Sequence, residues 1–171
     1  DHKHLNLDLP YFERQIPTSE NIARVLWDKL QAQPDIGSLQ RLSLYEDEDL
    51  CADLTAEAGL EVASVTRRYS FTAVHDGHRG HTWDLFVSVH GPIDRETGMV
   101  TDIVALDHLL KERVLAPFEG RDLRMVLATP SVTGEYLAKA VWDRIVSAIP
   151  AGTLQLVKLV QTRDLFYEYA G

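Results

Sequence analysis

A repeat at one fixed distance constrains this chain more than any other feature. Thr18, Glu20, Trp27, Asp28, Gly37 and Asp49 recur as Thr133, Glu135, Trp142, Asp143, Gly152 and Asp164, each pair 115 positions apart. An ungapped match of this kind marks an internal duplication. With 171 residues there is room for one medium domain or two small ones, so one copy must be incomplete.

The pattern between the matched positions says what is duplicated. Thr18 is suited to cap a helix running from about Ser19 to Gln33, with Glu20 in the first turn where the helix dipole favours an anion. Ile22, Leu26 and Leu30 recur at four-residue spacing and predict its buried stripe, with Val25 and Trp27 beside it. Pro34 and Gly37 end it. Leu42, Leu44 and Glu46 then share one face of a strand, and a second short strand follows an acidic run. Residues 7–17, with Pro10 and Pro17, read as irregular.

A second unit begins near Glu61. Ala63, Val65, Tyr69, Phe71 and Ala73 alternate with other residues in a long β pattern, and Arg67 interrupts their face. Asp76 to Gly80 read as a turn, and Trp83, Leu85, Val87 and Val89 are expected to make the return strand. Helices are expected over about Thr101–Leu115, with Pro117 just past the end, and Gly134–Ala148. Strands at Leu154–Gln161 and Leu165–Tyr169 close the chain. The order over 59–171 is ββααββ, and residues 1–58 supply the final helix and strands of the same order.

Composition narrows the function. A formal net charge of −9 argues against a nucleic-acid partner. No apolar run reaches the ~18 residues of a membrane helix. One cysteine, Cys51, leaves no internal disulfide and fits a reducing cytoplasm. The chain begins inside a motif without an initiator Met and reads as the edge of a fragment or of an ordered region.

Several spaced motifs resemble one family. Asp1-His2-Lys3-His4-Leu5-Asn6, Pro17-Thr18-Ser19-Glu20-Asn21-Ile22-Ala23 and the strand ending at Glu46 resemble the second half of a 6-pyruvoyltetrahydropterin or 6-carboxytetrahydropterin synthase. Phe71-Thr72-Ala73-Val74-His75, Gly80-His81 and Thr97-Gly98-Met99-Val100-Thr101-Asp102 resemble motifs of the same family in the second unit. The resemblance implies an α+β tunnelling fold: an antiparallel sheet with two helices on one face, assembled into an oligomeric barrel. It implies a zinc-dependent carbon-oxygen lyase acting on 7,8-dihydroneopterin triphosphate and expelling triphosphate. The expected partners are that small pterin substrate and either further copies of the chain or a preceding segment.

The resemblance also assigns roles. Glu46 would accept from two neighbouring N–H groups on the pterin edge, a charge-assisted bidentate contact. Thr18, Ser19 and Glu20 would line the pocket. Asp1 and His2 match a catalytic pair in which a carboxylate orients an imidazole for proton transfer. The family's cysteine has no counterpart, and Cys51 reads as a small buried hydrophobe. His75 and His81 map onto two of three zinc-binding histidines. Arg79 stands at the remaining position and cannot ligate, while His78 gives the alternative His75-x-x-His78-x-x-His81. The main zinc site would lie in a hairpin before Asp1. Glu46 becomes Gln161 at the 115 offset, and an amide meets two donors poorly. The first unit would therefore be active and the second a scaffold. The competing reading is a non-catalytic pterin- or purine-binding or structural protein of the same fold.

Overall fold

The computed structural model describes residues 4–75 and 80–171. Six strands form one antiparallel sheet in the order β1-β2-β3-β4-β5-β6. They are β1 (Arg41–Tyr45), β2 (Leu50–Thr55), β3 (Val62–Ala73), β4 (His81–Pro92), β5 (Thr153–Thr162) and β6 (Leu165–Tyr169). The main helices are α2 (Ser19–Gln31), α3 (Ile103–Leu110) and α6 (Gly134–Ile145), with shorter helical pieces α1 (Leu5–Asp8), α4 (Ala116–Phe118) and α5 (Leu123–Val126). Among the described residues, no helix is long and apolar enough to cross a membrane.

The chain divides into two compact units. One comprises residues 1–66 and 90–101, the other 67–89 and 102–171, so the division falls within β3 and β4. In the first unit α2 packs on β1 and β2. Thr18 caps it by accepting from the Asn21 N–H at 3.2 Å. Its buried face differs from the expected stripe. Ala23 and Trp27 are buried, while Leu26 and Leu30 are exposed at 36% and 37%. Ala23 and Trp27 are four residues apart and share one helical face. Residues 7–17 are less irregular than their prolines suggest. They include the end of α1 and a single 3-10 turn, Pro10–Phe12, with Pro10 at its start, where a missing N–H costs nothing.

In the second unit the expected alternation holds. Phe71, Ala73, Trp83, Leu85 and Val87 are all buried, as are Leu106, Leu110, Phe118, Leu137, Ile145 and Leu159 from the helices and β5. Phe71 meets Phe118 edge-on at 5.6 Å, the geometry aromatic quadrupoles favour. Asp102 caps α3 by accepting from the N–H groups of Val104 and Ala105. Pro117 does not lie beyond the helix end. A π turn over Lys111–Leu115, in which the Ala116 N–H reaches back to the Lys111 carbonyl, carries the helix into α4 with Pro117 in its first turn. The wider turn accommodates a residue that has no N–H to give. α6 ends at Ile145, three residues earlier than expected.

Candidate functional site

The first unit gathers three segments at the start of α2. Thr18 both caps the helix and donates its hydroxyl to the Gly98 carbonyl at 2.6 Å. Glu20 accepts from the Val100 N–H at 3.0 Å and is only 5% exposed. Ser19 donates to Glu46 Oε2 at 2.7 Å. Thr18, Ser19, Glu20 and Glu46 therefore meet at one corner, together with the loop 97–100.

Local sequence explains each placement. Leu42 and Leu44 are half-buried on one face of β1, and the two-residue period turns Glu46 to the same side just past the strand end. Its carboxylate is exposed and anchored by Ser19. The loop is set by Asp94, whose Oδ1 accepts from the N–H groups of Glu96 and Thr97 and from the Thr97 hydroxyl. These contacts hold the exposed Asp94 carboxyl below its ordinary range. Gly98 has φ +73°, and a Cβ there would come within 2.5 Å of Asn21 Nδ2 and 3.1 Å of Thr18 Oγ1. Only glycine permits this backbone to lie so close to the helix start.

The electrostatics distinguish the two carboxyls. Burial pushes Glu20 above the usual carboxylate range. The Val100 N–H pulls in the opposite direction, and the Glu46 charge adds a smaller upward push. The corner thus combines a solvent-facing acceptor, a hydroxyl that orients it and a buried carboxyl that resists a second negative charge. It suits a flat ligand that presents adjacent N–H donors. The motif Thr97–Asp102, a family likeness in the sequence, supplies this loop. Its glycine, which stands against the helix cap, was the available signal.

Asp1, His2 and His78 lie outside the described residues, as does Arg79. Cys51 is buried on β2, and burial, with nearby Asp53, raises its thiol pKa to about 11. Such a thiol is protonated at neutral pH and is a poor nucleophile.

In the second unit the His75 and His81 rings lie 6.1 Å apart, and Trp83 meets His75 at a tilt and His81 edge-on, with centroids at 5.2 and 5.1 Å. His81 Nε2 lies 2.7 Å from the Gln161 carbonyl and serves as its donor. That fixes the tautomer and leaves Nδ1 as the lone-pair nitrogen. Among the described residues no group of three His, Cys, Asp or Glu side chains is placed to hold a metal. Arg67 and Arg68 are engaged by Asp107 and Asp84. Asp107 also accepts from the Tyr69 hydroxyl at 2.8 Å, and burial together with that bond pushes the phenol pKa far up. The open groove of about 450 Å³ between these side chains and Lys111 and Glu119 therefore has much of its charge balanced internally. His90 is half-buried, with Nδ1 3.0 Å from the Ser64 hydroxyl, and His108 is exposed.

The antiparallel six-stranded sheet with its helices matches a known fold. The fold is that of the Caenorhabditis elegans 6-pyruvoyl tetrahydropterin synthase, with a TM-score of 0.59 at 22% identity, covering 64% of this chain and 96% of that one. The family model for 6-pyruvoyl tetrahydropterin synthase matches residues 1–57 and 60–171. The 6-pyruvoyl tetrahydrobiopterin synthases of Homo sapiens and Pongo abelii are each 31% identical over 134 residues, covering 64% of this chain and 92% of theirs. The chain belongs to the 6-pyruvoyl tetrahydropterin synthase family.

Proposed function

We infer that this chain carries a pterin-synthase site acting on 7,8-dihydroneopterin triphosphate, a carbon-oxygen lyase reaction that eliminates triphosphate. The observation that carries the reading is the Ser19–Glu46 bond at the mouth of α2, beside the loop 97–100. Glu46 accepts from two N–H groups of the pterin pyrimidine edge, and Ser19 keeps its carboxylate turned towards them. Glu20 remains neutral more readily than an exposed glutamate, which limits repulsion at the corner. Thr18 fixes the loop against the helix. Asp1 and His2 are the proposed proton-moving pair on the three-carbon side chain. Residues 1–58 form the working part and 59–171 a scaffold. Assembly with further copies of the chain or with a preceding segment belongs to the same proposal, as does a cytoplasmic location.

A zinc requirement is also part of it, with His75, His81 and His78 as candidate donors in this chain. The described residues supply two imidazoles, one with a nitrogen already bonded to a carbonyl, and this pair does not complete a three-ligand site. No step is therefore assigned to the metal.

Titration calorimetry with neopterin tests the reading. Glu46→Gln exchanges a two-acceptor anion for a single amide oxygen. The expected loss is about 2–3 kcal/mol, roughly 30- to 150-fold in affinity. Unchanged affinity in that variant would overturn the assignment. Turnover of dihydroneopterin triphosphate, with identification of the product, tests the reaction itself.

A further inference from the structure

The two helix-plus-hairpin segments correspond position by position, because their strand registers agree at the 115 offset as far as Val160. Leu42 faces Leu54 as Val157 faces Tyr169, and Ser43 faces Asp53 as Lys158 faces Glu168. Leu44 faces Ala52 as Leu159 faces Tyr167, and Tyr45 faces Cys51 as Val160 faces Phe166. Each helix is capped by a threonine that accepts from the N–H three residues on. Against this common frame, three neighbouring positions change together: Ser19 becomes Gly134, Glu46 becomes Gln161 and Ala52 becomes Tyr167.

In the trailing segment those three side chains interlock. A Cβ on Gly134 would lie 2.1 Å from Cδ2 and Cε2 of the Tyr167 ring and 2.4 Å from Cζ. The ring thus occupies the space that a serine at 134 would need. The Tyr167 hydroxyl donates to Gln161 Oε1 at 3.2 Å. The ring also approaches Trp83, with centroids 6.4 Å apart. Where Ser19 reaches Glu46 in the leading segment, an aromatic ring and its O–H reach position 161 instead. Gln161 also places a neutral amide, not a carboxylate, beside this ring.

We propose that Tyr167 is a built-in occupant of the trailing pocket, standing where a planar heterocycle and its donor edge stand against Glu46. The chain then offers one pterin site, at Ser19 and Glu46, and none at Gly134 and Gln161. This inference rests on the reading of Glu46 as the pterin anchor. Truncating Tyr167 opens a phenol-sized space, and restoring the other two residues makes that space a second pterin site.

Thermal denaturation with added phenol tests occupancy without any pterin. Phenol at millimolar concentration should raise the Tm of Tyr167→Ala, increasingly with concentration, and leave wild type and Tyr167→Phe unmoved. Equal shifts in all three, or none in Tyr167→Ala, overturn the proposal. A second measurement does not depend on ligand binding at all. Gly134→Ala should lower the Tm of wild type and leave it unchanged or higher in the Tyr167→Ala background, since alanine favours a helix once the ring is gone. The same drop in both backgrounds overturns the plug. Calorimetry with neopterin should count one equivalent per wild-type chain and two for Gly134→Ser/Gln161→Glu/Tyr167→Ala. Two equivalents in wild type, or one in the triple variant, refute the inference. Phenol rescue with no neopterin binding to wild type upholds the plug and refutes the Glu46 reading instead.

Discussion

Replacing Gly98 by alanine isolates the contact that joins the loop to the helix start. At φ +73° an L residue costs about 1–2 kcal/mol. The new methyl would also sit 2.5 Å from Asn21 Nδ2, about 1 Å inside ordinary contact. Asn21 is 4% exposed and cannot swing into solvent. It must give up the bond its amide donates to the Ile16 carbonyl at 2.9 Å, a loss of about 1 kcal/mol. The sum is about 2–3 kcal/mol, and for a chain of this size that lowers Tm by roughly 4–12 °C. The control is Gly37→Ala, where a methyl meets nothing within 4 Å. Calorimetric melting of both variants decides the matter. If Gly98→Ala melts within a degree of Gly37→Ala, the close approach is not a structural requirement. Pterin affinity should fall with stability, because the displaced loop carries the Val100 N–H that holds Glu20.

Glu20 gives a signed pH dependence. Its folded pKa is raised, so its stabilising contribution is full below the ordinary value of 4.5 and is lost as pH rises through the folded value. Urea midpoints of Glu20→Gln and wild type should therefore diverge in favour of the variant between pH 4 and pH 7, and parallel curves would contradict the assignment. The elevated pKa of Cys51, 9.0 raised to about 11, cuts its thiolate by roughly 100-fold. Labelling by a thiol-specific disulfide at pH 8 should be slower in the native than in the urea-unfolded chain by at least that factor, and Cys51→Ala should retain full turnover. Equal labelling rates would show the thiol to be accessible and reactive.

Much of the fold could be read from local pattern. The strand alternation around Trp83, Leu85 and Val87 requires a buried face at any length, and the two threonine caps fix helix starts through their own side chains. The face of α2 could not be read this way. Periodicity alone favours Ile22, Leu26 and Leu30, but which stripe is buried depends on the size of the sheet residues opposite. Pro117 misled because a π turn redirects the ladder several residues earlier, a choice no single residue announces. At the candidate site, the alignment of Glu46 with Leu42 and Leu44 was a matter of period two. The union of α2 with loop 97–100 depends on chain segments 80 positions apart, and only the glycine hinted at it. Gly134 lies against the Tyr167 ring, a contact between distant positions that no local pattern announces.

The same 80-residue separation has a consequence for how the molecule is made. Thr18 and Glu20 complete their bonds with Gly98 and Val100, which a ribosome adds much later. Until then the first turn of α2 has its own cap, the Asn21–Ile16 bond and the Ser19–Glu46 bond, but not the loop that fixes Thr18 and Glu20. Loop-closure entropy rises slowly with length, so the final contact is affordable, but it cannot form early. The pocket corner should be among the last parts of the first unit to gain amide-exchange protection during refolding.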